Sequence, residues 1–197
     1  MTLQNLGIGF PAQRGLEPPY CFGRHMGPAA IDAKRAAVMI CLYEDDGEMC
    51  FPLIERPVTM ASHAGQISLP GGAAEGGESD AEAAMRELEE ELGISVETSR
   101  LLGSLSEVYI FGSNYRVTPV IAALNEIPVL LPCEREVSSA ITCRLENLET
   151  VVNQILPSNL VGDRPIPGYL VDDHFVWGAT AMILAELHNV LKTRKLF

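Results

Sequence analysis

Between Gly72 and Ile94 the chain carries glycines, then an uninterrupted run suited to one helix, then a glycine stop, and that run is loaded with carboxylates. Ser79 followed three positions later by Glu82 forms a capping-box pattern, and Gly93 is a left-handed stop, so the spacing predicts a helix from Ser79 to Leu92. At about 100° per residue, Ala81, Met85, Leu88 and Leu92 fall on one stripe that faces a core. Glu87, Glu90 and Glu91 gather on a separate face because they stand three and four residues apart, while Glu89 points elsewhere. Arg86 lies four residues after Glu82 and four before Glu90, where it can tie the cluster together. Three carboxylates on one face repel each other unless a positive charge sits among them. The residues leave two readings open: a solvated acidic face laced with ion pairs, or a site for a hard divalent cation such as Mg2+ or Mn2+, whose remaining ligands come from substrate phosphates. The glycine pair and Glu78 just before the cap favour the site, since glycine lets the backbone approach a ligand closely.

The rest of the chain reads as strands interleaved with helices. Ala36 to Tyr43 is a buried strand, Glu44 to Gly47 a turn, and Met49 to Ile54 the returning strand of a hairpin. A loop covers 55–64, and Gly65 to Pro70 reads as a short strand ending at Gly71 and Gly72. Further strands are expected at Leu101 to Ile110, Tyr115 to Leu124 and Gly168 to Val171. Leu145 to Leu156 reads as a short helix or irregular segment, and Phe175 to Leu191 as a long apolar helix. This order lacks the regular rhythm of a parallel sheet, so the expected class is α/β (α+β), a mixed β-sheet between helices. Residues 1–30, rich in glycine and proline, read as an N-terminal arm or irregular extension, with one domain over 31–197.

A net charge of −12 argues against nucleic acid as a partner, because such proteins neutralise phosphates with basic patches. Five scattered cysteines (Cys21, Cys41, Cys50, Cys133, Cys143) without a CxxC pair read as reduced thiols rather than a disulfide framework or zinc site. No apolar run reaches the length of a membrane span, and the first 15 residues lack the basic and apolar parts of a secretory signal. The terminal Lys195-Leu196-Phe197 is not a peroxisomal address, and a cytoplasmic location is expected.

Gly72, Glu78 and Arg86-Glu87-Leu88-x-Glu90-Glu91-x-Gly93-Ile94 stand at the spacing of the Nudix box, a 23-residue pattern, and match each of its fixed positions. The chain thus resembles the Nudix hydrolases. The resemblance implies a Nudix fold, with the box as loop–helix–loop, and a metal-dependent pyrophosphohydrolase. It implies that Glu87, Glu90 and Glu91 hold Mg2+ or Mn2+, that Gly72 can add a backbone carbonyl, and that Arg86 and Glu78 position the cluster. The segment His63 to Gly72 also resembles the coenzyme A pyrophosphatase subgroup, as do Tyr115 to Val120, Glu136-Val137 and Val176 to Ala181. That subgroup keeps an arginine at Arg56, and has a second arginine and a phenylalanine where this chain has Ala61 and Leu69.

In such a reaction a carboxylate accepts the proton of the attacking water, and Glu90 or Glu136 can do so. Arg56, His63, Gln66 and Arg116 are the candidate substrate contacts. Two of them have a plainer role: His63 as a loop hydrogen-bonder, Arg116 as partner of a surface acid. Trp177 can be core or a base-stacking platform, and Met182, Ile183, Leu184 and Leu187 read as core. The substrate expected from the subgroup is coenzyme A or acyl-coenzyme A, giving a phosphopantetheine and adenosine 3′,5′-bisphosphate. ADP-ribose or another nucleoside diphosphate derivative is the alternative. Outside catalysis, the chain can be a nucleotide-binding module, or an interaction protein that docks a partner through residues 1–30. The partner is a small nucleotide diphosphate and not a membrane, and by family habit the chain is a homodimer.

Overall fold

A computed structural model describes residues 4–18, 29–59, 63–156 and 164–194. Cys21, Ala61 and the tail 195–197 lie outside them. Eight strands build the main sheet: β1 (Lys34–Asp45), β2 (Glu48–Glu55), β3 (Ile67–Ser68), β4 (Gly71–Ala73), β5 (Leu101–Ser104), β6 (Val108–Ile110), β7 (Tyr115–Ala123) and β8 (Ser139–Arg144). The path runs β3-β2-β1-β7-β5, with β4 on β1, β6 on β7 and β8 on β2. β1 and β7 are parallel over Lys34↔Tyr115 to Leu42↔Ala123, and the other pairings are antiparallel, so the sheet is mixed. A second antiparallel sheet comprises β9 (Val152–Ile155), β10 (Pro165–Val171) and β11 (His174–Trp177). Among the described residues the α-helices are α1 (Phe10–Gln13), α2 (Asp80–Leu92) and α3 (Gly178–Arg194).

From Ala36 to Tyr43 β1 is apolar, because both of its faces are covered there. Its odd positions Ala37, Met39 and Cys41 pack with Ala84, Leu88 and Leu92 of α2. Its even positions Ala36, Ile40 and Leu42 pack with Leu184 and Leu187 of α3. The sheet therefore lies between α2 and α3, as the Nudix resemblance implies. Met182, Ile183, Leu184 and Leu187 are all buried.

Four local expectations change. The stretch 101–110 is not one strand but β5 and β6, with the buried Leu105 between them and Ser106 N donating to Glu186. Residues 145–156 hold a 3-10 helix (Leu145–Leu148) and then β9. The long apolar helix starts at Gly178 rather than Phe175, since Gly178 turns at φ 66 and His174–Trp177 pairs with β10. Trp177 is thus a half-buried strand residue. Gly71 and Gly72 do not end a strand; they begin β4, paired with Val38 and Ala37. β8 carries no distinct sequence signal and exists because β2 offers it a partner.

The segment 4–18 docks on α3. Leu6 and Leu16 enter the α3 core, and Leu6 N–H donates to Ser104 at 2.7 Å. The fastening is Glu186, a fully buried carboxylate on α3. It accepts from Ile8 N (2.8 Å), Gly9 N (2.8 Å), Gln13 Nε2 (2.8 Å), Ser106 Oγ (2.7 Å) and Ser106 N (3.3 Å). Removing this acceptor strands several buried donors, and each such loss is costly. Glu186→Ala is therefore expected to lower the unfolding free energy by about 3 kcal/mol or more, read by denaturant titration. Unchanged stability would mean that segment 4–18 is not held by this carboxylate.

Candidate metal centre

Local sequence sets α2 in place. Ser79 accepts from Glu82 N while the Glu82 carboxylate accepts from Ser79 N at 2.8 Å, and Gly93 closes the helix in the left-handed region. Asp80 at its start accepts from Arg35 and from Thr118 Oγ1 (2.8 Å), pinning the helix to β1 and β7. Sequence reading missed this anchor, since nothing in the spacing links Arg35, Asp80 and Thr118.

Ala81, Leu88 and Leu92 are buried as the wheel predicts, and Met85 is half-buried. Glu91 departs from it. This carboxylate is only 3% exposed, because it stands two turns after the fully buried Ala84 and so falls at the edge of the core stripe. Its Oε2 accepts from Gly71 N at 2.8 Å. Beside it, β4 passes so close to α2 that a Cβ on Gly72 would lie 2.3 Å from Glu87 Oε1. Glycine is needed here for close approach.

Glu136 completes the group. The chain after β7 folds back on the end of α2, with Leu131 N donating to Leu92 O and Cys133 N to Glu91 O, both at 2.9 Å. Val137 is buried as an anchor, and Ser138 N donates to Glu55 O at 2.8 Å. The result places one carboxylate oxygen each from Glu87, Glu91 and Glu136 within 4.8 Å of one another. Glu90 is not in this group; it is exposed, and its Oε2 accepts from Arg86 Nη1 at 2.9 Å.

Arg86 reaches four acceptors: Glu78 twice (2.8 and 3.2 Å), Glu87 (2.9 Å), Glu90 (2.9 Å) and Ala73 O (3.1 Å). It does not pair with Glu82, which is spent on the cap. These bonds hold the Glu78 carboxyl below the usual carboxylate range. Burial acts the other way on Glu87 and Glu91. Glu87 is raised by desolvation against the pull of Arg86. Glu91 is pushed up to about 8, first by burial and then by the neighbouring Glu87 and Glu136 carboxylates, against the Gly71 N–H and the Arg56 charge.

The substrate candidates divide. Arg56 lies close enough to Glu91 for its charge to be felt. Gln66 O accepts from Arg56 N, and the Gln66 side chain is held by His63 Nδ1 at 2.9 Å, so these three form one corner. Arg116 is elsewhere. It pairs in register with Arg35 near the start of α2 and lies 3.9 Å from Glu107. Asp80 and Glu91 stand 11 residues apart on α2, about 16 Å along its axis.

Three hard oxygen donors converging with mostly uncompensated charge fit a divalent cation, and Gly72 keeps the space beside Glu87 clear. What sequence reading missed is that the third carboxylate of the group is Glu136, 45 residues beyond Glu91.

A NUDIX domain model matches residues 33–158. Nudix hydrolase 22, chloroplastic, of Arabidopsis thaliana is 31% identical over 183 residues, covering 88% of this chain and 60% of that protein. The chain thus spans about 60% of the length of the plant relatives it matches. An Escherichia coli protein named uncharacterized Nudix hydrolase NudL is 35% identical over 152 residues, covering 68% of this chain and 71% of that protein. The crystal structure of a MutT/nudix family protein from Enterococcus faecalis has a TM-score of 0.61 at 17% identity, covering 85% of this chain and 66% of that one, a likeness of fold.

Two predictions follow from the electrostatics and the close approach. The folded Glu91 value of about 8 lies above the ordinary 4.5, so the folded state holds a proton that the unfolded state releases. Metal-free stability should then fall as pH rises from about 4.5 to 8, by an amount on the order of a few kcal/mol. Thermal melts should show that slope flattened in Glu91→Gln and opposed by added Mg2+; an identical slope in the variant would refute it. Gly72→Ala should weaken Mn2+ binding at least about tenfold in an electron paramagnetic resonance titration, because its methyl displaces Glu87.

Proposed function

The chain belongs to the Nudix family, and on that premise we propose that it is a metal-dependent pyrophosphohydrolase that cleaves the diphosphate of coenzyme A or acyl-coenzyme A. The observation that carries this reading is the convergence of Glu87, Glu91 and Glu136, of which Arg86 pairs with Glu87 alone. The products are a phosphopantetheine and adenosine 3′,5′-bisphosphate. The substrate is supported by the subgroup-like segments His63 to Gly72, Tyr115 to Val120 and Val176 to Ala181, and by Arg56 beside the carboxylates.

Glu87, Glu91 and Glu136 would hold the cation, with Gly72 beside Glu87. A bound Mg2+ or Mn2+ offsets negative charge on the diphosphate and makes an attacking water more acidic. Glu90 takes up the proton of that water. Its Oε2 accepts from Arg86, which aims the carboxylate and leaves Oε1 to act as base. Arg86 also fixes Glu87 and, through Ala73 O, the strand that carries Gly72. Arg56 faces the substrate diphosphate as its counter-charge.

The test is product analysis by chromatography with Mg2+ or Mn2+, on coenzyme A, a short acyl-coenzyme A, ADP-ribose and a dinucleotide. Adenosine 3′,5′-bisphosphate should be released from coenzyme A. Glu87→Gln and Glu91→Gln should each slow that release by about two to three orders of magnitude, the scale of losing one charge-stabilising group. Turnover of ADP-ribose alone would retain diphosphate hydrolysis and overturn the coenzyme A assignment. Failure on the whole panel would favour a nucleotide-binding module.

A further inference from the structure

Two buried polar atoms in one patch are left without a partner: Arg56 Nε and Ser68 Oγ. The strand register puts both on the same side of the sheet. Ser68 stands opposite Ile54, and Arg56 N donates to Gln66 O two steps along the same ladder. Residues directly opposite, and those two apart on a strand, share a face. Ile54 packs with Leu88 and Leu92 of α2, whereas Ile67 and Leu69, on either side of Ser68, pack in the α3 core. Ser68 and Arg56 therefore both look toward α2 as diagonal neighbours, a separation that a long side chain spans. Three residues beyond Ser68, Gly71 N holds Glu91 Oε2, which fixes the patch at the border of the carboxylate trio.

A buried donor left without a partner is destabilising. Arg56 is not among the described ion pairs although its charge acts on Glu91, so its guanidinium is uncommitted. A guanidinium N–H and a hydroxyl on one face of the sheet suit a dianionic group and not a second cation. We propose that Arg56 and Ser68 form a two-donor subsite that grips the non-bridging oxygens of the substrate diphosphate, with Ser68 setting its position relative to the carboxylate trio. This rests on the diphosphatase reading above and adds Ser68, a positioning residue for that substrate.

The experiment measures calorimetric binding of methylenediphosphonate, a diphosphate that cannot be hydrolysed, in Mg2+ to wild type, Ser68→Ala and Arg56→Lys. Thermal melts and Mn2+ titration accompany it. Ser68→Ala should weaken binding about tenfold, the loss of one hydrogen bond to a charged group. It should leave Mn2+ affinity unchanged and the ligand-free melting temperature equal or higher, because an orphan hydroxyl has been removed. Arg56→Lys should lose at least as much, since a point charge cannot replace the fork. Full binding in Ser68→Ala, as when the hydroxyl bonds only to water, overturns the subsite. A binding loss matched by a lower melting temperature also overturns it, by making the role structural. If those results come with coenzyme A still cleaved, the diphosphatase reading stands and only the subsite falls. If wild type binds no methylenediphosphonate and cleaves nothing on the panel, both fall.

Discussion

The burial of the Glu91 carboxylate beside two others is the constraint on which the rest of the centre depends. A carboxylate removed from water carries a penalty that only hydrogen bonds, a counter-charge or protonation can offset. Here the chain supplies one backbone donor, Gly71 N, and the nearby but unpaired charge of Arg56. The neighbours Glu87 and Glu136 make matters worse. Such an arrangement is stable when a proton or a cation joins it. The second condition makes it a binding site, and it explains why Arg86 neutralises Glu78, Glu87 and Glu90 along one edge while reaching no atom of Glu91.

The far side of the sheet offers a comparison within the same molecule. Glu186 is more deeply buried than Glu91, yet five donors converge on it from the N-terminal segment, Gln13 and Ser106. That carboxylate is saturated, so it acts as a fastener between segment 4–18, α3 and the chain that joins β5 to β6. Burial alone thus does not mark a functional acid. The ratio of donors to acceptor separates the two, and it assigns structure to Glu186 and chemistry to Glu91.

Much of this was legible in the sequence because it is local. The capping box at Ser79 and the stop at Gly93 act within a few residues, and the carboxylates of α2 share a face by helical geometry. The seven-residue step from Ala84 to Glu91 was also there to be read as burial. The β-strand at 174–177 was hidden because a continuous apolar run has no period, and only pairing with β10 decides between strand and helix. β8 and β4 were obscure for the same reason: each exists through its partner strand.

Sequence by itself determined the helix with its carboxylates, the glycines before it, the continuous burial of β1 and the mixed sheet that follows. These rest on periodicity and backbone freedom, which neighbours in the chain set. Tertiary structure alone decided that Glu136 joins Glu87 and Glu91 while Glu90 stays outside with Arg86. It also decided that Arg56 borders the trio and Arg116 does not, and that Glu186 locks down the N-terminal segment. The physical reason is common to all of them. Electrostatic and hydrogen-bond partners meet through space, and the loop closures that bring residues 56, 91 and 136 to one point leave no repeat in the order of residues.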